Sequence, residues 1–242
     1  MIRVGVSGAA GRMGMLTTEA IESTSDMQLC GRYAPGHGHD DRRALAGCDV
    51  VVEFARPDAV MENLAEWSRL GLHVVVGTSG FDDQRLADLK KMWGAGPPKC
   101  LVVPNFSIGA VLMMSLAEKA APYFSAGEII ELHHDRKVDA PSGTALSTAA
   151  RMSPSGSRAV DSIEALPGAR GAEVGGVWVH SVRLPGLLAH QEILLGNPGE
   201  VLSIRHDTTD RAAFVPGILL AVRSIEKLEP GVSIGLDGLM GL

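Results

Sequence analysis

Ile2-Arg3-Val4-Gly5-Val6-Ser7-Gly8-Ala9-Ala10-Gly11-Arg12-Met13-Gly14 opens the chain, and the fold is read outward from it. Ile2 to Val6 is a short β-branched run, which reads as a buried strand. Met15 to Ser23 is helical in pattern. Strand, glycine turn and helix together make the first half of a βαβ unit. Glycines at such a turn let the backbone approach a pyrophosphate, and the free N–H groups of the helix start bind its charge. The spacing here is G-x-x-G-x-x-G rather than G-x-G-x-x-G. Its place directly after a strand and before a helix is the context that gives the motif weight. The competing reading is an ordinary strand-to-helix turn of another α/β protein.

Met27 to Tyr33 supplies a second strand. In NAD enzymes an acidic residue at the end of this strand holds the ribose 2′-hydroxyl, whereas a nearby Arg suits a 2′-phosphate. The tip reads Gly31-Arg32-Tyr33-Ala34-Pro35-Gly36, with no carboxylate, and Arg12 is close by. Arg32 therefore points to NADPH bound at least as well as NADH, or else is a solvated surface residue. His37, His39, Asp40 and Asp41 read as a polar loop, because two His in a flexible glycine loop are poorly preorganised for a metal. No metal site is expected.

The alternation then continues. Strands at Asp49–Phe54, His73–Val76 and Cys100–Val103 are separated by helical patterns at Pro57–Leu70 and Asp82–Trp93. Such alternation predicts a Rossmann-type, doubly wound parallel sheet, with ligands beyond the carboxyl ends of the strands. The residues just past those ends form a candidate cofactor lip: Gly8, Ala10, Gly11, Arg12 and Met13, then Phe54-Ala55-Arg56, Gly77 with Thr78, and Asn105 with Phe106.

Composition narrows the class. The chain has 242 residues, enough for one large or two small domains. A net charge of −6 argues against a general nucleic-acid binder. The 45% apolar and 21% charged content fits a soluble globule. Apolar runs fall short of the about 20 residues that span a bilayer, and the N-terminus lacks a signal-peptide layout. Cys30, Cys48 and Cys100 are odd in number and scattered, which fits a reducing cytoplasm.

The chemistry concentrates in one segment. Residues 107–120 are apolar and helical, with Met113 and Met114 as core filler. A β-type run from Glu128 then gives way to His133-His134-Asp135-Arg136-Lys137-Val138-Asp139-Ala140-Pro141-Ser142-Gly143-Thr144, which opens a further helix ending near Arg151. Ser142, Gly143 and Thr144 at a helix start offer N–H groups and hydroxyls to a carboxylate. Lys137 adds a cation, and a His can move a proton near neutral pH. Were the strand to continue through both His residues, their side chains would point to opposite faces, so one proton donor is expected. The bland alternative is a polar-capped loop with a salt-bridged Lys; the density of titratable groups favours function.

The HHDRKVDAPSGTA segment, with GAAGRMG, VVGTSGF and PNFSIGA, closely resembles the 4-hydroxy-tetrahydrodipicolinate reductase (dihydrodipicolinate reductase) family of bacterial lysine biosynthesis. Leu166-Pro-Gly-Ala-Arg-Gly, His180-Ser-Val-Arg183, His190-Gln-Glu192 and Arg205-His-Asp207 extend the likeness over essentially the whole chain. The resemblance implies a dinucleotide-binding domain of residues 1–106, completed by 213–242. It also implies an inserted α+β domain, 107–212, that carries substrate and builds a homotetramer through a mostly antiparallel sheet. Strand-like runs at Gly176–Arg183, Gln191–Leu195 and Glu200–His206 suit that sheet, while a helix over Phe214–Lys227 and a strand over Val232–Leu236 suit a return to the first.

By the same resemblance His133 is the acid, and Lys137 aids catalysis and binds substrate. His134, Ser142, Gly143 and Thr144 hold the carboxylates, and Gly8, Arg12, Met13, Gly77, Thr78, Asn105 and Phe106 line the cofactor. Two departures stand out. Arg32 and Ala34 occupy the stretch where the family often has an acid, favouring NADPH or dual use. The stretch after Arg151 is also shorter and more polar than usual.

The implied reaction is hydride transfer from nicotinamide to ring carbon 4 of a dehydrated cyclic imine dicarboxylate, followed by protonation at carbon 3 by His133. The rivals are another nicotinamide oxidoreductase of amino-acid pathways and a non-catalytic NADP(H) sensor. A semialdehyde dehydrogenase would need an activated Cys, and the three present lie in or beside strand runs. A sensor has no reason to keep His133, Lys137 and Ser142-Gly-Thr together.

Overall fold

A computed structural model describes residues 1–152 and 163–242. Residues 153–162 of the stretch after Arg151 that departs in length and polarity lie outside the described residues. The chain divides into two compact units, Met1–Ser107 with Phe214–Leu242, and Ile108–Ala213.

The first unit runs β1 (Ile2–Ser7), α1 (Arg12–Glu22), β2 (Met27–Tyr33), β3 (Val50–Glu53), α2 (Val60–Arg69), β4 (His73–Val76), α3 (Asp83–Trp93) and β5 (Lys99–Val102). The C-terminal segment returns with α6 (Val215–Ser224), β11 (Gly231–Ile234) and α7 (Asp237–Met240), numbered in chain order. Its six-stranded sheet has the order β11-β5-β4-β3-β1-β2, and every pairing is parallel. Helices on both faces explain why the central strands are continuous apolar runs; all four residues of β3 are buried. α2 buries Val60, Asn63, Leu64 and Trp67, an i, i+3, i+4, i+7 stripe. Trp67 is fully buried and meets Tyr33 edge-on, with ring centroids 5.9 Å apart. α3 is capped by Asp82, whose carboxylate accepts from Arg85 N–H at 2.8 Å. The chain leaves β1 for β2 on one side and then crosses to β3 on the other. This reversal between β1 and β3 is the switch point at which such sheets bind ligands.

The second unit contains α4 (Ile108–Ala120), β6 (Ala126–His133), α5 (Gly143–Arg151), β7 (Ala172–Val174), β8 (Val177–Arg183), β9 (Ala189–Asn197) and β10 (Glu200–Thr208). The sheet order is β10-β9-β6-β8-β7. β6 and β8 are parallel, and the other pairings are antiparallel. β6 alternates strictly, burying Gly127, Ile129 and Glu131. α5 covers that face, since Gln191 of β9 donates to Thr148 Oγ1 and Ser142 N–H donates to Glu131.

Some boundaries differ from expectation for local reasons. The helix expected over Phe214–Lys227 is α6 alone, flanked by 3₁₀ turns at Arg211–Phe214 and Ile225–Lys227. Pro216 in the first turn of α6 has no N–H to offer, so the α-helix starts there. The last strand stops at Ile234 because Gly235 takes φ +82°.

Candidate active site

In the first unit the glycine turn is a cradle shaped by absent side chains. Gly8 sits at φ +76°, and a Cβ there would lie 2.6 Å from the Phe54 carbonyl carbon. A Cβ on Gly14 would lie 2.1 Å from Gly8 O. These close approaches pull the start of α1 down over the tips of β1 and β3. α1 has Gly11 as N-cap, no side-chain cap and no acid in its first turn. The first N–H groups of a helix have no carbonyl one turn back, so this end is open to an anion.

Beyond the tips of β1, β2 and β3 lies a cavity of about 580 Å³, lined by Gly8, Ala10, Gly11, Tyr33 and Phe54 among others. Arg42 also lines it, with its guanidinium 5.5 Å from the Tyr33 ring centroid. A second, of about 250 Å³, is lined by Gly11, Arg12, Met13, Phe54, Gly77 and Thr78. Neither is lined by Asn105 or Phe106. Phe106 instead stacks edge-on against Phe54 at 5.7 Å. A Cβ on Gly77 would strike both rings, at 2.2 and 2.6 Å. Asn105 Oδ1 accepts from Ser107 N–H at 2.8 Å, and Thr78 Oγ1 donates to Ala55 O at 2.7 Å. Arg32 lines a separate depression with Ala10, and its guanidinium donates to Glu22 at 2.7 Å. So a carboxylate does stand near the end of β2, contributed by α1. Glu53, unnoticed in the sequence, is fully buried behind the lip. It accepts from Trp67 Nε1 at 2.8 Å and Ala55 N–H at 2.7 Å, and burial pushes its pKa up.

Cys48 and Cys100 are buried, and burial pushes both thiols up, the reverse of an activated nucleophile.

The second unit gathers the polar cluster. β6 ends at His133, so His134 begins the following turn, closed by Lys137 N–H to His134 O. His133 lies on the same face as Glu131, two residues back. Its Nδ1 is 2.5 Å from Glu131 Oε2. Arg183 sits beside His133 in the parallel β6–β8 register. Its guanidinium grips Glu131 with both arms, at 2.9 and 2.8 Å. Burial alone would raise the Glu131 pKa, but hydrogen bonds from His133, Arg183 and Ser181 outweigh it and hold the carboxyl at about 2. Glu131 was not singled out from sequence, and Arg183 entered only as the end of the His180–Arg183 stretch of the likeness, with no role attached. The i, i+2 spacing to His133 could have revealed Glu131; nothing local marks Arg183, which lies 52 residues away.

Lys137 Nζ donates to Asp139 at 2.9 Å and holds that carboxyl below its usual range. His134 has its pKa lowered by desolvation and by Arg136, His133 and Arg211, and its buried Nδ1 has no partner among the described residues. Ser142 is the N-cap of α5: its Oγ accepts from Ala145 N–H at 3.2 Å while its N–H serves Glu131. The groups of Ser142 are thus turned inward. Gly143 opens the helix with nothing within 4 Å of its would-be Cβ.

An anion-ready glycine cradle at the switch point of a parallel sheet, in a chain that also carries this cluster of titratable groups, defines a nicotinamide-dependent oxidoreductase. Comparison with known proteins specifies which. Models of the dihydrodipicolinate reductase N-terminus and C-terminus match residues 2–106 and 109–240. The chain is 51% identical to the 4-hydroxy-tetrahydrodipicolinate reductase of Thermobifida fusca and 49% identical to that of Cutibacterium acnes, covering 100% of each chain. A solved dipicolinate-bound dihydrodipicolinate reductase from Paenisporosarcina sp. TG-14 is 35% identical, with a TM-score of 0.85 over 98% of this chain and 99% of that one. The chain belongs to the dihydrodipicolinate reductase family. No helix among the described residues is long and apolar enough to cross a membrane.

Proposed function

We propose that the protein reduces 4-hydroxy-tetrahydrodipicolinate to tetrahydrodipicolinate with NADPH or NADH, in the diaminopimelate route of lysine biosynthesis. The observation that carries this reading is the convergence of His133, Lys137 and the start of α5. It is supported by the dipicolinate bound to the 35%-identical relative.

Gly8, Ala10, Gly11, Arg12 and Met13 hold the dinucleotide phosphates, largely through backbone N–H groups. Phe54, Gly77, Thr78, Asn105 and Phe106 shape the remainder of that site, and Arg32 faces the 2′ position. When bound, the reduced nicotinamide supplies a hydride. Lys137 and His134 meet the substrate carboxylates as cations or donors, with the N–H groups of Gly143 and Thr144 at the positive end of α5. Ser142 contributes by fixing that helix start. His133 delivers a proton from Nε2 to ring carbon 3 after hydride has reached carbon 4: the Nε2–H bond breaks, a C–H bond forms, and the imidazole is left neutral.

The homotetramer is also a proposal. α4 and α5 lie against one face of the second sheet, where Gly109 approaches His206 and Thr148 meets Gln191. The opposite face presents half-buried Ile130, Leu132 and Leu194, and Val201 is 69% exposed. Association through this sheet would bury that apolar surface. A cytoplasmic location fits buried, unpaired Cys48 and Cys100.

The test is oxidation of NADPH and NADH, tried separately, with substrate generated in situ from pyruvate and aspartate semialdehyde by the preceding synthase. Oxidation requiring both proteins supports the assignment; none from folded, cofactor-binding protein overturns it. His133→Gln should lower kcat far more than it raises KM. Light scattering reporting a monomer would remove the tetramer.

A further inference from the structure

The buried carboxylate of Glu131 has no part in the reaction as proposed, yet four hydrogen-bonding contacts converge on it. It is completely inaccessible at the end of β6. One oxygen accepts from Arg183 and the Ser142 N–H, and the other from Arg183 and faces His133 Nδ1. A lone buried salt bridge is weak evidence of anything, since two apolar residues often serve as well. Here, however, the ion pair leaves one oxygen of the carboxylate 2.5 Å from the imidazole. The carboxyl, held at about 2, is ionised across the physiological range. An ionised carboxylate can only accept. The His133 nitrogen facing it must therefore carry a hydrogen.

We propose that Glu131, clamped by Arg183, is the positioning residue of the proton donor: it accepts Nδ1–H of His133 and so fixes the ring tautomer and orientation that place the transferable proton on Nε2. When the proton leaves Nε2, the neutral ring that remains is the Nδ1–H tautomer, still bound to Glu131. The ring therefore does not turn between donation and reprotonation. The carboxylate remains ionised throughout and exchanges no proton. Arg183 acts one step further out. Its second arm also donates to Asp139 O, at 2.6 Å, which ties the His133 anchor to the turn that carries Lys137. Ser142 links the same carboxylate to the head of α5. One buried group thus sets the relative placement of the acid, the Lys turn and the anion-binding helix start. The proposal rests on the assignment of His133 as proton donor, and its tests separate the two.

The first test needs no mutation. Nitrogen-15 spectra of histidine-labelled protein, with His133 assigned by difference from His133→Gln, report which ring nitrogen is protonated in the neutral form. The proposal requires Nδ1–H; an Nε2–H tautomer overturns it whatever the activity. The second test is Glu131→Gln. The Gln oxygen is needed where the second Arg183 arm and the Ser142 N–H both donate, so the NH₂ turns toward the first arm and His133 Nδ1, where it can only donate. The Nδ1–H signature should be lost, and kcat should fall at least about tenfold, with KM changed less than about threefold. Wild-type kcat in Glu131→Gln overturns the positioning role while leaving His133 as donor. Full kcat in His133→Gln overturns the donor assignment itself. Should Glu131→Gln fail to fold, Glu131→Asp keeps the charge for Arg183 but withdraws it from the imidazole. The same loss of signature and kcat is expected, and their retention refutes the proposal.

Discussion

Adding a single methyl group at Gly14 should cost cofactor binding much more than it costs the fold. The new Cβ would lie 2.1 Å from Gly8 O, 2.7 Å from Ala9 Cα and 2.8 Å from Gly8 C, all backbone. No rotamer change relieves such contacts, so the Gly8–Gly11 turn and the start of α1 must separate by about 1 Å or more to reach ordinary van der Waals distance. Overpacking of this kind costs about 1–3 kcal/mol. Alanine inside a helix returns about 1 kcal/mol relative to glycine. The net loss of stability is then about 0–2 kcal/mol, small enough to leave a folded protein. The phosphate contacts fare worse. Hydrogen bonds to a charged group are worth about 1.5–3 kcal/mol each, and a 1 Å displacement removes at least one. The NADPH Kd of Gly14→Ala should rise about tenfold to a hundredfold, measured by quenching of protein or cofactor fluorescence. Gly11→Ala is the graded control, because its Cβ would meet Gly8 O at 3.2 Å and needs only a small adjustment. Gly143→Ala, with open space around it, should leave NADPH binding unchanged. If Gly14→Ala binds NADPH within about twofold of wild type, the cradle is not set by backbone approach and the reasoning is refuted.

Three further outcomes follow from the buried charges. Arg183→Leu leaves Glu131 buried without its cation and should destabilise the protein by about 3–5 kcal/mol in urea unfolding, and a loss under about 1 kcal/mol would contradict the clamp. Folding depresses the Glu131 carboxyl to about 2, so its contribution is complete above the unfolded carboxyl pKa and is lost as pH falls through about 2. Unfolding free energies should therefore decline by about 3 kcal/mol more between pH 5 and 2 in wild type than in Glu131→Gln, and equal declines would deny the shift. Trp67→Phe removes the indole donor from buried Glu53 and should cost about 1–3 kcal/mol in the same assay, with an unchanged midpoint as the contrary result.

The fold was legible because its signals are local. β-branched runs alternating with helical stripes predict the parallel sheet, and the glycine turn placed the first strand and helix. The edges were less legible where one residue overrides a periodic pattern, as Pro216 does at α6 and Gly235 after β11. The His133–Thr144 segment was legible as a polar cluster, since its members lie within twelve residues of one another. Its organising group was missed. Glu131 is one acid within a β-type run, and only the sheet shows that it shares the buried phase with Gly127 and Ile129, under α5. Arg183 reaches it only through the register of a parallel pairing, which no local pattern encodes. Arg32 shows the complementary limit. The sequence reveals a cation near the tip of the second strand, but only the structure shows it paired with Glu22 from the neighbouring helix.

The central claim is direct hydride transfer to a cyclic imine dicarboxylate, and it is tested most directly by isotope transfer. The protein would be supplied with NADPH dideuterated at nicotinamide carbon 4 and with substrate from the coupled synthase, and the product analysed by mass spectrometry. The account predicts tetrahydrodipicolinate heavier by one deuterium, formed in step with cofactor oxidation. Unlabelled product, or label appearing only in solvent, would contradict it.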